Sequence, residues 1–370
     1  MVEVKKFNHC FLKNGVDYFT GVPDSTLKEW LKLIFYSGKF TNRIASNEGA
    51  AISNASRYYL ATGNIGVVYL QNSGLGNCIN PLTSLTDPEV YGIPMIMLIG
   101  WRGIPGQKDE PQHKKMGAIT KEMLKVLGIP YSILNDDNYI QEINKSVELA
   151  KLNKKPYALI ISPGFFDKYS DCTRSNNSTR MNREESIRSI VSIVKDNDII
   201  LSTTGKTSRE LYEVCSDNNR GHSNNFYNVG SMGHVGAIGL EVALQKSKRL
   251  TFIFDGDGAL IMHMGTLASI GEYQPKNLVH IVFDNESHES TGGQPTLSKA
   301  IDIAGVMRSC NYKQVEVVSD KASLIGILNT SISGPLGVVI KITSFSRKNL
   351  GRPTSTPEET KTRFMEWIDK

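Results

Sequence analysis

Two oxygen-bearing side chains stand where a divalent cation could be held. Asp257 lies in Gly256-Asp257-Gly258-Ala259, just after an apolar run at 250–254. Asn285 follows a second apolar run at 278–283, with 26 residues between Gly258 and Asn285. The runs read as buried strands, and 260–273 between them reads as a helix. Strand–turn–helix–strand is the parallel crossover of an α/β sheet. Asp257 and Asn285 are then expected at the carboxyl ends of neighbouring strands, where open α/β sheets bind ligands. Magnesium takes hard oxygen ligands and shares them with phosphates and water. Glycines beside Asp257 let backbone approach a phosphate, and the helix N-terminus favours an anion. The chemistry indicated is a cation bridging a diphosphate.

Other residues could join it. Thr204-Gly205 follows the expected strand 199–202 and forms a possible anion nest. Beyond it, Lys206 and Arg209 read equally as anion contacts or as solvated surface. Glu48 sits among Ala45, Ser46, Gly49, Ala50 and Ala51, small neighbours able to desolvate a carboxyl. Asp24 follows a short expected strand and is also placed to cap the expected helix 26–37. Residues 101–120 show no periodicity and carry Pro105, Gly106, Pro111 and Gly117. A long unpatterned segment inside a domain reads as a functional loop. It holds His113 and four cations, Arg102, Lys108, Lys114 and Lys115, suited to an anionic substrate.

The Gly-Asp-Gly turn with its distant Asn resembles the cofactor motif of thiamine-diphosphate enzymes. Further segments carry the resemblance along almost the whole chain: Thr20-Gly21-Val22-Pro23-Asp24-Ser25, Ser46-Asn47-Glu48-Gly49-Ala50-Ala51, Gln71-Asn72-Ser73-Gly74-Leu75-Gly76-Asn77, Asp109-Glu110-Pro111-Gln112-His113, Thr203-Thr204-Gly205-Lys206-Thr207-Ser208-Arg209 and Ser290-Thr291-Gly292-Gly293-Gln294. Together they resemble the 2-oxo acid decarboxylases of that family, in particular those acting on keto acids with a second anionic group. The resemblance implies thiamine diphosphate and Mg2+ as cofactors. It implies Asp257, Asn285 and the Ser287 carbonyl as metal ligands, with Thr204, Gly205, Gly256, Gly258 and Ala259 at the diphosphate. Glu48 is implied to hydrogen-bond the cofactor's aminopyrimidine. Met232, 25 residues before Asp257, is implied to support the folded cofactor. Asp24 and His113 are implied as acid–base groups near the substrate, with Arg102 and Lys108 as further contacts. Relatives commonly have two adjacent histidines here; this chain has His113 followed by lysines.

The implied reaction is non-oxidative loss of CO2 from a 2-oxo acid, with a phosphonate expected ahead of a sulfonate as the second anion. Alternatives are the sulfonate substrate or a carboligase of the same fold. Enzymes for the sulfonate often divide the two domains between separate chains, so their fusion here is expected to favour the phosphonate. The implied architecture is two α/β domains of the thiamine-diphosphate-binding type, each a mainly parallel sheet flanked by helices. A pyrimidine-binding domain is expected at 1–166, a polar linker at 167–182, and a diphosphate-binding domain at 183–370. The active site is implied to form between subunits, so at least a homodimer is expected.

Composition agrees with a globular protein of two domains: 370 residues, 40% hydrophobic and 21% charged, with formal net charge +5. No basic run with interleaved aromatics suggests nucleic acid. Five scattered cysteines with no CxxC spacing argue against a disulfide scaffold or zinc site. The N-terminus lacks the apolar core of a signal peptide, and no apolar run is long enough to span a bilayer. A cytoplasmic enzyme is expected.

Overall fold

The computed structural model describes residues 1–170, 180–344, 346–347 and 349–370. The chain divides into two compact units, Met1–Arg174 with Ser290–Gln294, and Ser175–Glu289 with Pro295–Lys370. Much of the expected linker, residues 171–179 with Cys172 among them, lies outside the described residues.

Strands apolar on both faces need cover on both sides, the environment of a parallel sheet. The first unit contains β1 (Tyr18–Gly21), β2 (Thr41–Ile44), β3 (Val67–Gln71), β4 (Ile96–Gly100), β5 (Tyr131–Ile133) and β6 (Tyr157–Ile161). They form one sheet in the order β2-β1-β3-β4-β6-β5, parallel throughout. Alternation along the strands divides the core. Phe19, Tyr69, Ile96 and Leu98 join Phe7, Phe11 and Trp30 on one face. Val68, Leu70, Met97 and Ile99 join Ile52 and Leu75 on the other.

The second unit contains β7 (Ile199–Ser202), β8 (Asn225–Tyr227), β9 (Thr251–Gly256), β10 (Leu278–Asp284), the two-residue strands β11 (Ser287–His288) and β12 (Gln294–Pro295), then β13 (Gln314–Val318) and β14 (Leu336–Lys341). Its six-stranded sheet runs β13-β14-β10-β9-β7-β8, again parallel. Read from the other edge, this is the same topology as the first unit, reached without close sequence repetition. Phe252, Phe254, Val279, Ile281 and Phe283 face one way. Ile253, Leu278 and Val282 face the other, against Leu267 and Ile270.

In each sheet the strand order reverses beside the first strand, between β1 and β3 and between β7 and β9. Such a switch point opens a crevice at the carboxyl ends of the strands. Asp24 follows β1 and Gln71 ends β3; Thr204 and Asp257 follow β7 and β9.

Two expected elements differ. The helix expected at 260–273 is two, Asp257–Met262 and Thr266–Tyr273, with His263 leaving helical geometry between them. Further on, a 3-10 turn, Leu297–Ala300, is followed by the separate helix Ile303–Ser309, because the Asp302 side chain caps a new start at Gly305 N–H. The unpatterned segment at 101–120 is a loop only as far as Glu110. From Pro111 it is the helix Pro111–Val126, so His113, Lys114 and Lys115 stand on a first turn and not on a loop. Proline suits a first helical position, where no N–H is needed. Among the described residues no helix is long and apolar enough to cross a membrane, and Cys10, Cys78, Cys215 and Cys310 are free thiols.

Candidate active site

In the first unit, Glu48 opens the helix Glu48–Thr62, whose N-cap Asn47 accepts the Ala50 N–H. Its side chain is turned inward and the residue is 6% exposed. Asn77 donates to Oε2 at 2.7 Å. The other oxygen lies against Gly74, where a Cβ would stand 2.4 Å away, so only glycine admits the carboxyl there. Asn77 belongs to a segment noted in the sequence, but its pairing with Glu48 was not foreseen.

Asp24 is fully buried after β1. The Thr26 N–H donates to Oδ2 at 2.6 Å, and Oδ1 faces Gly100 at the end of β4. The helix expected from Thr26 begins at Lys28, so Asp24 closes the turn before the helix and does not cap it. Burial pushes its pKa up to about 6, against the opposing Thr26 N–H and the Arg102 charge. A carboxyl raised in this way stabilises the fold while protonated. That contribution is complete below the unfolded value of 3.8 and lost as pH rises through about 6. Asp24→Asn is therefore expected to gain stability over the unaltered protein between pH 4 and pH 8, by on the order of 3 kcal/mol. Urea unfolding at the two pH values checks this; an equal difference at both would show that the free protein does not bury the charge.

Arg102 sits between Asp24 and His113 electrostatically, acting on both. Its guanidinium makes a two-pronged contact with Asp109 and donates to Ser25 Oγ at 3.1 Å. The Asn72 side chain clamps its backbone, accepting from Arg102 N–H at 3.0 Å and donating to its carbonyl at 2.9 Å. Asp109 also accepts the Gly103 N–H at 2.7 Å. His113 is half-buried; burial first, and Arg102 second, hold its imidazole below the ordinary value. Its Nδ1 is buried without a hydrogen-bond partner. Lys108, Lys114 and Lys115 are exposed. The structure thus brings Asp24, Arg102, Asp109 and His113 together and leaves the three lysines out.

In the second unit, Asp257 is the first residue of its helix and 3% exposed. Thr296 donates to its Oδ2 at 2.5 Å. Burial pushes its pKa up to about 7, and the groups acting on it most strongly are oxygen-bearing neighbours, none a cation. By contrast Asp284, on the adjacent strand, has its own ion pair with Lys341. After β10 the chain turns through Glu286 at φ 56°. Asn285 Oδ1 accepts the Ser287 N–H at 3.0 Å, and Nδ2 donates to Glu289 Oε2 at 3.3 Å.

Thr204 donates its hydroxyl to the Val229 carbonyl at 2.7 Å, and Gly205 precedes the helix Lys206–Asp217 at φ 90°, open to glycine. Lys206 is ion-paired with Glu289 at 2.9 Å. Arg209 donates to the carbonyls of Gly351 and Leu350. Neither is a freely solvated cation. Met232 is half-buried, and its neighbour Gly233 packs against the Ala259 carbonyl, which brings the Met232 loop to the turn that follows β9.

Two families of thiamine enzyme sequence match the chain: "Thiamine pyrophosphate enzyme, N-terminal TPP binding domain" over residues 7–124, and the corresponding "C-terminal TPP binding domain" over 203–342. Fold and matches together define the class, a two-domain enzyme that uses thiamine diphosphate. The chain is 35% identical to phosphonopyruvate decarboxylase of Streptomyces viridochromogenes, across 96% of this chain and 92% of that protein. It is 28% identical to sulfopyruvate decarboxylase of Methanosarcina acetivorans, across 96% and 95%. It also matches the two separate subunits of sulfopyruvate decarboxylase from Methanococcus maripaludis, beta at 34% (51% of this chain, 99% of the subunit) and alpha at 32% (43% and 93%). The chain belongs to the phosphonopyruvate decarboxylase family. Fusion of the two domains does not separate the substrates as expected, because the Methanosarcina sulfopyruvate enzyme aligns end to end as a single chain.

Proposed function

We propose that this protein catalyses the non-oxidative decarboxylation of 3-phosphonopyruvate to phosphonoacetaldehyde and CO2. The observation that carries the substrate is the near full-length match at 35% identity to a phosphonopyruvate decarboxylase, against 28% for the sulfopyruvate enzyme of similar coverage. Side-by-side rates on phosphonopyruvate, sulfopyruvate and pyruvate, with added thiamine diphosphate and Mg2+, test it. Phosphonopyruvate is expected to lead; a lead for sulfopyruvate would reassign the enzyme.

The residues fit the cofactor. A buried carboxyl driven up to about 7, with no cation among the groups that act on it most strongly, is a site that a divalent cation would complete. In our reading Asp257, the Asn285 amide oxygen and the Ser287 carbonyl hold Mg2+. Thr204, Gly205, Gly256, Gly258 and Ala259 face the diphosphate, Met232 supports the cofactor rings, and Glu48 contacts the aminopyrimidine. Bound thiamine diphosphate supplies a cationic ring that accepts the electron pair left by departing CO2. The chain's own tasks are orientation and proton handling. Arg102 is assigned the second anion of the substrate, and Asp24 and His113 the protons. The unit led by residues 1–166 takes the pyrimidine role and 183–370 the diphosphate role, joined through 167–182. Self-association belongs to the same proposal and is checked by light scattering.

Asp257→Ala is expected to leave a folded chain that no longer binds thiamine diphosphate in a Mg2+-dependent manner. Calorimetric titration with and without Mg2+ reads this out; unchanged affinity would remove Asp257 from the site.

A further inference from the structure

Glu289 follows Asn285 on the turn beyond β10 and stands at the centre of an ion cluster within the second unit. Lys206 donates to its Oε1 at 2.9 Å. Arg183, itself buried, donates to Oε2 at 2.9 Å while also pairing with Glu210 at 2.8 Å. Ser346 closes the ring, accepting from Arg183 and donating to Glu210, both at 2.8 Å. Two cations face two carboxylates, so no charge in the cluster is left uncompensated. Held from two sides, the Glu289 carboxylate has little freedom to turn. The remaining contact to Oε2 comes from the Asn285 amide at 3.3 Å.

That contact fixes which end of an amide points where. Reversing the amide would set its oxygen against a carboxylate and its NH2 against the Ser287 N–H, two repulsions in place of two hydrogen bonds. The amide oxygen has two lone pairs, and Ser287 uses one. We propose that Glu289 is a positioning residue for the cation site: it locks the Asn285 amide with its oxygen available to the metal, and through Lys206 it ties that turn to the Thr204-Gly205 turn. The inference rests on the reading of Asn285 as a metal ligand. Partners lying behind metal ligands typically contribute 10–100-fold to metal affinity.

The experiment is a Mg2+ titration, by calorimetry, of the full-length apo protein with saturating thiamine diphosphate. Glu289→Gln is expected to raise the Mg2+ midpoint at least tenfold. Asn285→Asp gives a second, sharper readout that leaves Arg183 and its partners untouched. As a simple ligand, a carboxylate serves Mg2+ at least as well as an amide. Facing Glu289, however, the introduced carboxylate would be repelled, so weaker binding by tenfold or more is expected. Adding Glu289→Gln to Asn285→Asp should then restore part of the loss, a non-additive cycle that a merely structural glutamate would not produce. A Glu289→Gln midpoint within twofold of the unaltered protein, while Asn285→Ala is weakened, overturns the proposal and spares the ligand reading. An unaltered midpoint in Asn285→Ala overturns both. Should Glu289→Gln fail to fold by circular dichroism, Asn285→Asp decides, and equal or tighter Mg2+ binding there overturns the proposal.

Discussion

Glu48→Gln is expected to fold, to bind thiamine diphosphate with Mg2+, and to lose two to four orders of magnitude in turnover, the usual scale for a positioned acid–base group. The geometry argues for so local an effect. Glutamine has the same shape, so its carbonyl oxygen can still accept from Asn77 at the 2.7 Å position. The small Gly74 surface against which the side chain packs is unchanged. What disappears is the carboxylate's ability to share a proton with a ring nitrogen. The direct measurement is exchange of the cofactor's C2 proton, followed by NMR in the variant and the unaltered protein. Exchange at the unaltered rate would show that Glu48 is not the activating group, whatever the turnover. Asn77→Ala provides the graded case. It leaves the carboxylate in place but unanchored, and a smaller slowing is expected.

How much of this was legible in the sequence differs from residue to residue, for physical reasons. The strand-end positions of Asp257 and Asn285 were legible because each stands within three residues of the end of a mainly apolar run, and a buried parallel strand leaves few other readings for such runs. The start of the helix Pro111–Val126 was not, because apart from Pro111 the residues before Met116 are polar, and the apolar packing begins at Met116. Gly117 lies so close to the Gly103 carbonyl, where a Cβ would be 1.7 Å away, that backbone contact replaces side-chain packing. Its first turn spends Gln112 and His113 facing inward, so polarity there looked like a loop. Charge partners were least legible. Asp109 reaches back seven residues to Arg102, but Glu289 lies 83 residues from Lys206 and 106 from Arg183. Composition records such charges as surface until the sheet order brings them together. Lys206 and Arg209 are the clearest cases: equal candidates for anion contact from sequence, both committed to internal partners in the fold.

Specificity is where the fold sharpens the expectation most. Four cations between residues 102 and 115 were candidates for the substrate's second anion, Arg102 and Lys108 ahead of Lys114 and Lys115; the structure favours Arg102. It is half-buried, it acts on both Asp24 and His113, and its backbone is clamped by Asn72. Of its five N–H donors, Asp109 and Ser25 take three, leaving two for a ligand. The paired Asp109 offsets the Arg102 charge, which suits a site that must release a less anionic product than it admits. Arg102→Gln is therefore expected to lower kcat/KM for phosphonopyruvate by the equivalent of about 2–5 kcal/mol, the usual cost of removing one partner of a desolvated charge pair. Pyruvate, lacking the second anion, should lose far less. Lys108→Gln, Lys114→Gln and Lys115→Gln should stay near the unaltered rates on both substrates, since exposed charges contribute little. Arg102→Lys restores the charge without the planar fork and should recover only part of the loss. Equal losses on phosphonopyruvate and pyruvate in Arg102→Gln would mean that Arg102 holds the turn through Asp109 and Asn72 and does not read the anion. Selective loss in a lysine variant instead would mean that the exposed segment carrying that lysine, the loop at Lys108 or the start of the helix Pro111–Val126, moves inward to meet the substrate, since only then could a charge now in solvent distinguish the two acids.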